Sequence, residues 1–106
     1  MKVELGKYRS SGAQVFSDRM KGIQARKELK LDDMDEREGK VCVVIPSDTW
    51  SINSSFFGGL FEGSLKKMNK TQFREKYEFI FNDGEKINST LEENISDDID
   101  YVLNNL

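Results

Sequence analysis

Apolar positions along this chain fall into short runs between polar breaks, and their spacing switches between two periods. Residues Lys2 to Tyr8 alternate, with Val3 and Leu5 on one side and Lys2, Glu4 and Lys7 around them, which predicts a short strand. Arg9-Ser10-Ser11-Gly12 reads as a turn and helix cap. From Ala13, apolar residues recur at Val15, Phe16, Met20 and Ile23, with Leu29 further on, so a moderately amphipathic helix is predicted to end near Leu29. Residues 30–39 are the most polar break and read as a connecting loop, with at most a helical turn.

Lys40 to Ile45 is the best strand in the chain, short, β-branched and apolar after its first residue. Such a run predicts a central strand buried on both faces. Pro46, the only proline, cannot donate to a ladder and marks its end. A polar loop follows. Then Phe56, Phe57, Leu60, Phe61, Leu65 and Met68 form a broad stripe at helical spacing, predicting a second helix over about 54–68. Gly58, Gly59 and Gly63 each cost about 1 kcal/mol against Ala inside a helix. Three so close together point to tight backbone packing against a sheet or a partner.

Thr71 to Lys76 fits one short helical turn, and Tyr77-Glu78-Phe79-Ile80-Phe81 a third strand closed by Asn82-Asp83-Gly84. Residues 84–95 are ambiguous between strand, loop and helix. Ser96, followed by Asp97 and Asp98, looks like the cap of a final helix over about 96–105, with an earlier start left open. The order β-α-β-α-β-α implies a single layered α/β domain over 1–106, a small sheet with right-handed crossovers.

Composition narrows the possibilities. Apolar residues make up 37% of 106 positions and charged residues 33%, which is a globular composition large enough for one core and too short for two. The net charge of −3 hides an asymmetry: residues 1–30 carry eight Lys/Arg against three acids, and residues 83–106 carry seven acids against Lys86 alone. An acidic tail folded beside a basic helix would account for this without a partner. Met1-Lys2-Val3-Glu4 shows no apolar signal region and no run reaches membrane-spanning length, so a cytoplasmic location is expected. Cys42 is alone in an apolar run and reads as a small buried hydrophobe.

The chemistry is limited as well. With no histidine in the chain, a Ser-His-Asp triad and histidine metal ligation are both excluded. The glycine spacing of Gly58-Gly59-Leu60-Phe61-Glu62-Gly63-Ser64-Leu65 mimics a phosphate-binding loop. It lacks the lysine after the last glycine and lies within an apolar helical stripe. No catalytic site, metal or cofactor is therefore expected. Asn53, Ser54 and Ser55 are the richer feature, because three successive capping residues exceed what one helix start needs. They are either an ordinary cap or a phosphate- or anion-accepting site beside the free N–H groups of the first turn. Asp48 and Thr49 lie in the same loop.

Residues Val41 to Met68, above all Trp50-Ser51-Ile52-Asn53-Ser54-Ser55-Phe56-Phe57-Gly58-Gly59-Leu60-Phe61, resemble the STAS-like domains, specifically small bacterial STAS-like proteins of unknown function. In the related anti-sigma factor antagonists, a strand leads into an Asp-Ser-Ser-Gly-Leu-type loop and helix. The second serine there accepts phosphate from a kinase of the GHKL-type ATPase fold. The resemblance implies a STAS-like fold, Ser55 at the acceptor position beside Ser54, and a GHKL-type ATPase as partner. It implies a partner-binding edge of Asp48, Asn53, Phe56, Phe57, Gly58 and Gly59. Asn53 stands where Asp is usual, and Phe56 where Gly is usual. Two other expectations stand beside this one. One is a nucleic-acid-associated accessory protein using Arg9, Arg19, Lys21, Arg26 and Lys27. The other is a sensor of a small ligand or anion held at Ser54 and Ser55.

Overall fold

A computed structural model describes residues 1–10 and 14–106. Its main sheet has three parallel strands in the order β1 (Lys2–Glu4), β3 (Val41–Ile45) and β5 (Tyr77–Phe81). Two further strands, β2 (Val15–Phe16) and β4 (Ser51–Ile52), form a separate parallel pair. The helices are α1 (Arg19–Glu28), α2 (Leu31–Glu36), α3 (Ser54–Leu65), α4 (Lys70–Lys76) and α5 (Ser89–Asn104). The result is a compact α/β fold with a small parallel sheet.

The period-2 alternation of the strands becomes a two-faced sheet. Val3 pairs in register with Val43 and that with Phe79, while Val41 pairs with Tyr77 and Ile45 with Phe81. All seven are buried in the core. Phe57 and Phe61 of α3 stack on this face, with ring centroids 5.1 Å from Phe61 to Tyr77 and 6.2 Å from Phe57 to Phe79. With a monotonic strand order and right-handed crossovers, both helical connections lie on that same face, and α5 joins them by packing on α3.

The expectation that β3 is buried on both faces holds at Val44, which is 5% exposed, and is relaxed only at Cys42. Cys42 and Val44 point the other way, and Cys42 is only half-buried.

Several other expectations change. Val15 and Phe16 are not the start of a helix. Phe16 pairs with Ile52 in the small sheet, and α1 begins only after Asp18, whose carboxylate accepts from the Met20 N–H. The strand expected over Lys2–Tyr8 stops at Glu4, and Gly6–Tyr8 form a 3-10 turn. The polar break over 30–39 contains a helix, α2, because Leu31 is fully buried and anchors it. The last helix starts at Ser89 with Asn88 as its cap, so Ser96 is an interior residue. The turn and cap expected at Arg9 to Gly12 falls partly outside the described residues.

The glycines of α3 do serve a close approach, but to another helix rather than to the sheet. A Cβ on Gly59 would overlap the Arg19 carbonyl oxygen, and one on Gly22 would overlap that of Phe56. Backbone meets backbone where α1 crosses α3, and α3 thus separates basic α1 from acidic α5. Two acids of the tail pair elsewhere instead, through Lys70–Asp100 and Arg74–Glu92.

Candidate functional site

The junction from β3 into α3 carries the serine pair. Pro46 ends the strand, and the loop turns back through the Thr49 N–H donated to the Pro46 carbonyl at 3.0 Å. Ser51 and Ile52 then pair with β2, and Asn53 caps α3 by accepting the Ser55 N–H at 2.7 Å. Asn94 of α5 fixes the same segment from the other side. Its side-chain oxygen accepts the Ile52 N–H at 2.8 Å and its amide donates to the Ile52 carbonyl at 3.1 Å.

Capping by Asn53 leaves Ser54 and Ser55 as the first two helical residues, half-buried and exposed respectively. Neither hydroxyl is the cap, which removes the ordinary reason for serine at a helix start. The N–H groups of that first turn have no intrahelical acceptor and favour negative charge.

Ser54 and Ser55 line a cleft of about 190 Å³ together with Arg19, Gly58, Glu62, Tyr101 and Asn105. The Arg19 guanidinium lies directly over Gly58, where a Cβ would stand 2.9 Å from its Nη1, and it also reaches Glu62 at 3.4 Å. A cation therefore sits next to a helix N-terminus that already favours anions. Neither Arg19 nor Tyr101 is adjacent to the serines in sequence. Only the α1–α3 glycine contact and the α3–α5 packing bring them there.

The six residues expected at a partner-binding edge divide sharply. Asn53 is exposed, as is Asp48, which pairs with Arg9. Phe56, Phe57, Gly58 and Gly59 are buried. Phe56 packs on Phe16 with ring centroids 4.9 Å apart, and Phe57 belongs to the aromatic cluster with Phe61, Phe73 and Phe79. The two phenylalanines belong to the core, Gly59 lies against α1, and only Gly58 reaches the cleft. The aromatic side chains that are accessible here are Trp50, 71% exposed, and Tyr101, 56% exposed. An exposed Trp two residues after the loop acid Asp48 was legible as a signal, whereas Tyr101 was not.

Two carboxyls are enclosed in the helical layer. Asp98 is only 6% exposed and receives a 3.3 Å hydrogen bond from Asn94. Burial first, and the nearby Asp97 charge second, push its pKa up to about 7 against that hydrogen bond. Asp35 has a wholly enclosed side chain. It accepts from Ser64 at 2.7 Å, from Arg26 at 2.7 Å and from the Tyr77 hydroxyl. Burial raises its pKa, but the bonds from Tyr77, Ser64 and Arg26 together outweigh that and hold the carboxyl below its usual range.

The basic residues expected to meet nucleic acid are largely engaged. Arg9 pairs with Asp48, Arg19 with Glu62, and Arg26 with Asp32 and Asp35.

No protein-family model, curated protein or solved structure matches the chain. No helix among the described residues is long and apolar enough to cross a membrane.

Proposed function

We propose that this chain is a STAS-like regulatory module, a binding protein rather than an enzyme. It engages a protein partner at the face around Ser54 and Ser55, with Asp48, Asn53, Trp50 and Tyr101 as the accessible contacts. Its partner is a GHKL-type ATPase, and phosphorylation of Ser55 is the switch. The reading rests on the resemblance over residues 41–68 and on one structural observation. Ser55 is an exposed serine in the first turn of α3, its hydroxyl is not needed as the cap, and it shares a cleft with Arg19. A phosphate there gains from the helix dipole and a guanidinium, and adds charge in the middle of the contact face.

The test is intact-mass analysis after incubation with ATP and a GHKL-type kinase encoded beside the protein. Addition of one phosphate to the wild type, and none to Ser55→Ala, supports the switch. If Ser55→Ala gains phosphate equally, Ser55 is not the acceptor.

An anion sensor is the second reading, favoured by the same position of Arg19. Inorganic phosphate should then raise the melting temperature of the wild type and not of Arg19→Ala. Binding to nucleic acid is disfavoured by the ion pairs of Arg9 and Arg26.

A further inference from the structure

All-parallel sheets are ordinarily covered on both faces. Here α3 packs on one face, with α1 and α5 packed on α3, while the other face carries the exposed Lys2, Glu4 and Glu78. That open face is built by two registered rows, Lys2–Cys42–Glu78 and Glu4–Val44–Ile80. The second row is extended by Lys86, which bridges antiparallel to Ile80 and so points to the same side. Val44 is 5% exposed yet lies outside the hydrophobic core cluster, because it belongs to this second surface. A groove of about 590 Å³ is lined by Glu4, Val44 and Pro46 of this face and by Val3, Ile45 and Leu29 of the helical side, so it curls round from one face to the other.

The charges on the face are arranged to complement their own reversal. The first row runs from Lys2 on β1 to Glu78 on β5, and all three of Lys2, Glu78 and Glu4 are exposed. The second runs the opposite way, from Glu4 on β1 to Lys86 beside β5. A two-fold axis lying between two stacked sheets, parallel to the strands, exchanges β1 with β5 and keeps β3 over β3. Lys2 of one copy then stands over Glu78 of the next, and Glu4 lies within the reach of a lysine stem from Lys86. Val44 meets Val44 and Cys42 meets Cys42 on the axis. The other face-to-face two-fold, running across the strands, lays β1 antiparallel over β1; it pairs Lys2 with Glu4 but sets Glu78 against Ile80 and leaves it without a cation.

We infer that the open sheet face binds a second copy of this chain, back to back, in a two-fold dimer centred on Cys42 and Val44. The interface is isologous, as two-fold contacts must be. It leaves the Ser54–Ser55 cleft free, since that cleft belongs to the helical layer.

The experiment is sedimentation velocity across a concentration series, paired with cross-linking. Cys42 is the only cysteine, so every bis-maleimide cross-link between chains reports Cys42 near Cys42. A linker matching the ~10 Å spacing of stacked sheets is appropriate. The wild type should dimerise and cross-link. Glu78→Lys should weaken the dimer at least tenfold, because Lys2 would then face lysine on both sides of the axis. Lys2→Glu combined with Glu78→Lys should restore it. Glu78 is exposed, and an unchanged circular dichroism spectrum shows that the fold persists. A wild type that stays monomeric into the millimolar range overturns the proposal. So does a dimer that ignores Glu78→Lys and leaves Cys42 uncoupled, which would place the contact on another surface.

Discussion

Asp35 and Asp98 are both enclosed by protein, and they are opposite solutions to the same problem. Asp35, on α2, sits where α1, α3 and β5 converge, and each of these sends it a donor: Arg26, Ser64 and Tyr77, with Lys67 at 3.6 Å. Its charge is held by hydrogen bonds, so the ionised form is the stable one. Asp98 is buried on α5 with a single long bond from Asn94 and another acid beside it. Its charge is barely supported, so it keeps a proton far above the usual carboxylate range. The first arrangement ties four elements together. The second is tolerated beside Asn94, the residue that fixes β4 just ahead of Ser54 and Ser55. Strain of this second kind is characteristic of functional regions, and here it borders the candidate site while the satisfied network lies apart from it.

The largest test of this contrast is removal of the satisfied acid. Asp35→Ala leaves Arg26 without its enclosed partner and strands the hydroxyls of Ser64 and Tyr77. Chemical denaturation should show a loss of about 3–5 kcal/mol. A loss under about 1 kcal/mol would mean that the network is not a structural centre.

Asp98→Asn should act in the other direction. Folded Asp98 holds its proton up to about 7, whereas in the unfolded chain the carboxyl ionises near its ordinary value. Ionisation therefore favours unfolding, and stability falls as pH rises from about 4 to about 7. The amide removes that fall. The variant should be more stable than wild type at pH 8, by on the order of 2 kcal/mol, and close to it at pH 4. Asp35 has the reverse sign: its lowered pKa contributes stability above the ordinary carboxylate range, lost as pH falls through it. Denaturation curves at both pH values distinguish the two acids, and equal pH profiles for the two variants would erase the distinction.

The smallest effect sharpens the contrast at the serines themselves. Asn53→Ala should cost about 1 kcal/mol, because Asn53 is the cap, whereas Ser55→Ala should stay within about 0.5 kcal/mol. A Ser55→Ala cost as large as that of Asn53→Ala would make Ser55 a structural residue and weaken its assignment as a switch. Thermal melts of the two variants decide this.

The serine pair also shows how far local pattern reaches. Asn53, Ser54 and Ser55 were recognisable as a helix start from residue type alone, and α3 begins there. Which of the three caps was not recognisable, since Asn and Ser are about equally good. Phe56 and Phe57 were candidates for a partner-binding edge because the resemblance implied one there. Their burial follows from being wedged between Phe16 on one side and the β5 aromatics on the other, and Phe16 comes from a two-residue strand too short to carry a period. The α2 helix was hidden by its polar face, since only Leu31 is buried in it. Asp35 was one of several acids in that run, and nothing local sets it apart. Its role depends on Ser64 and Tyr77, 29 and 42 residues away.

The chain by itself determined the elements whose signal is periodic and local: β3, α3, β5, the turn after Phe81, and the glycine-marked close contact on α3. It also determined the absence of histidine chemistry. Tertiary structure alone decided that α3 packs on one face of the parallel sheet, that Arg19 and Tyr101 share a cleft with Ser55, and that one buried acid has its pKa held down while the other is pushed up. The reason is physical. Periodicity reports which side of an element avoids water, but a side chain's charge and reach depend on which distant groups share its surroundings, and those are set only when the layers close.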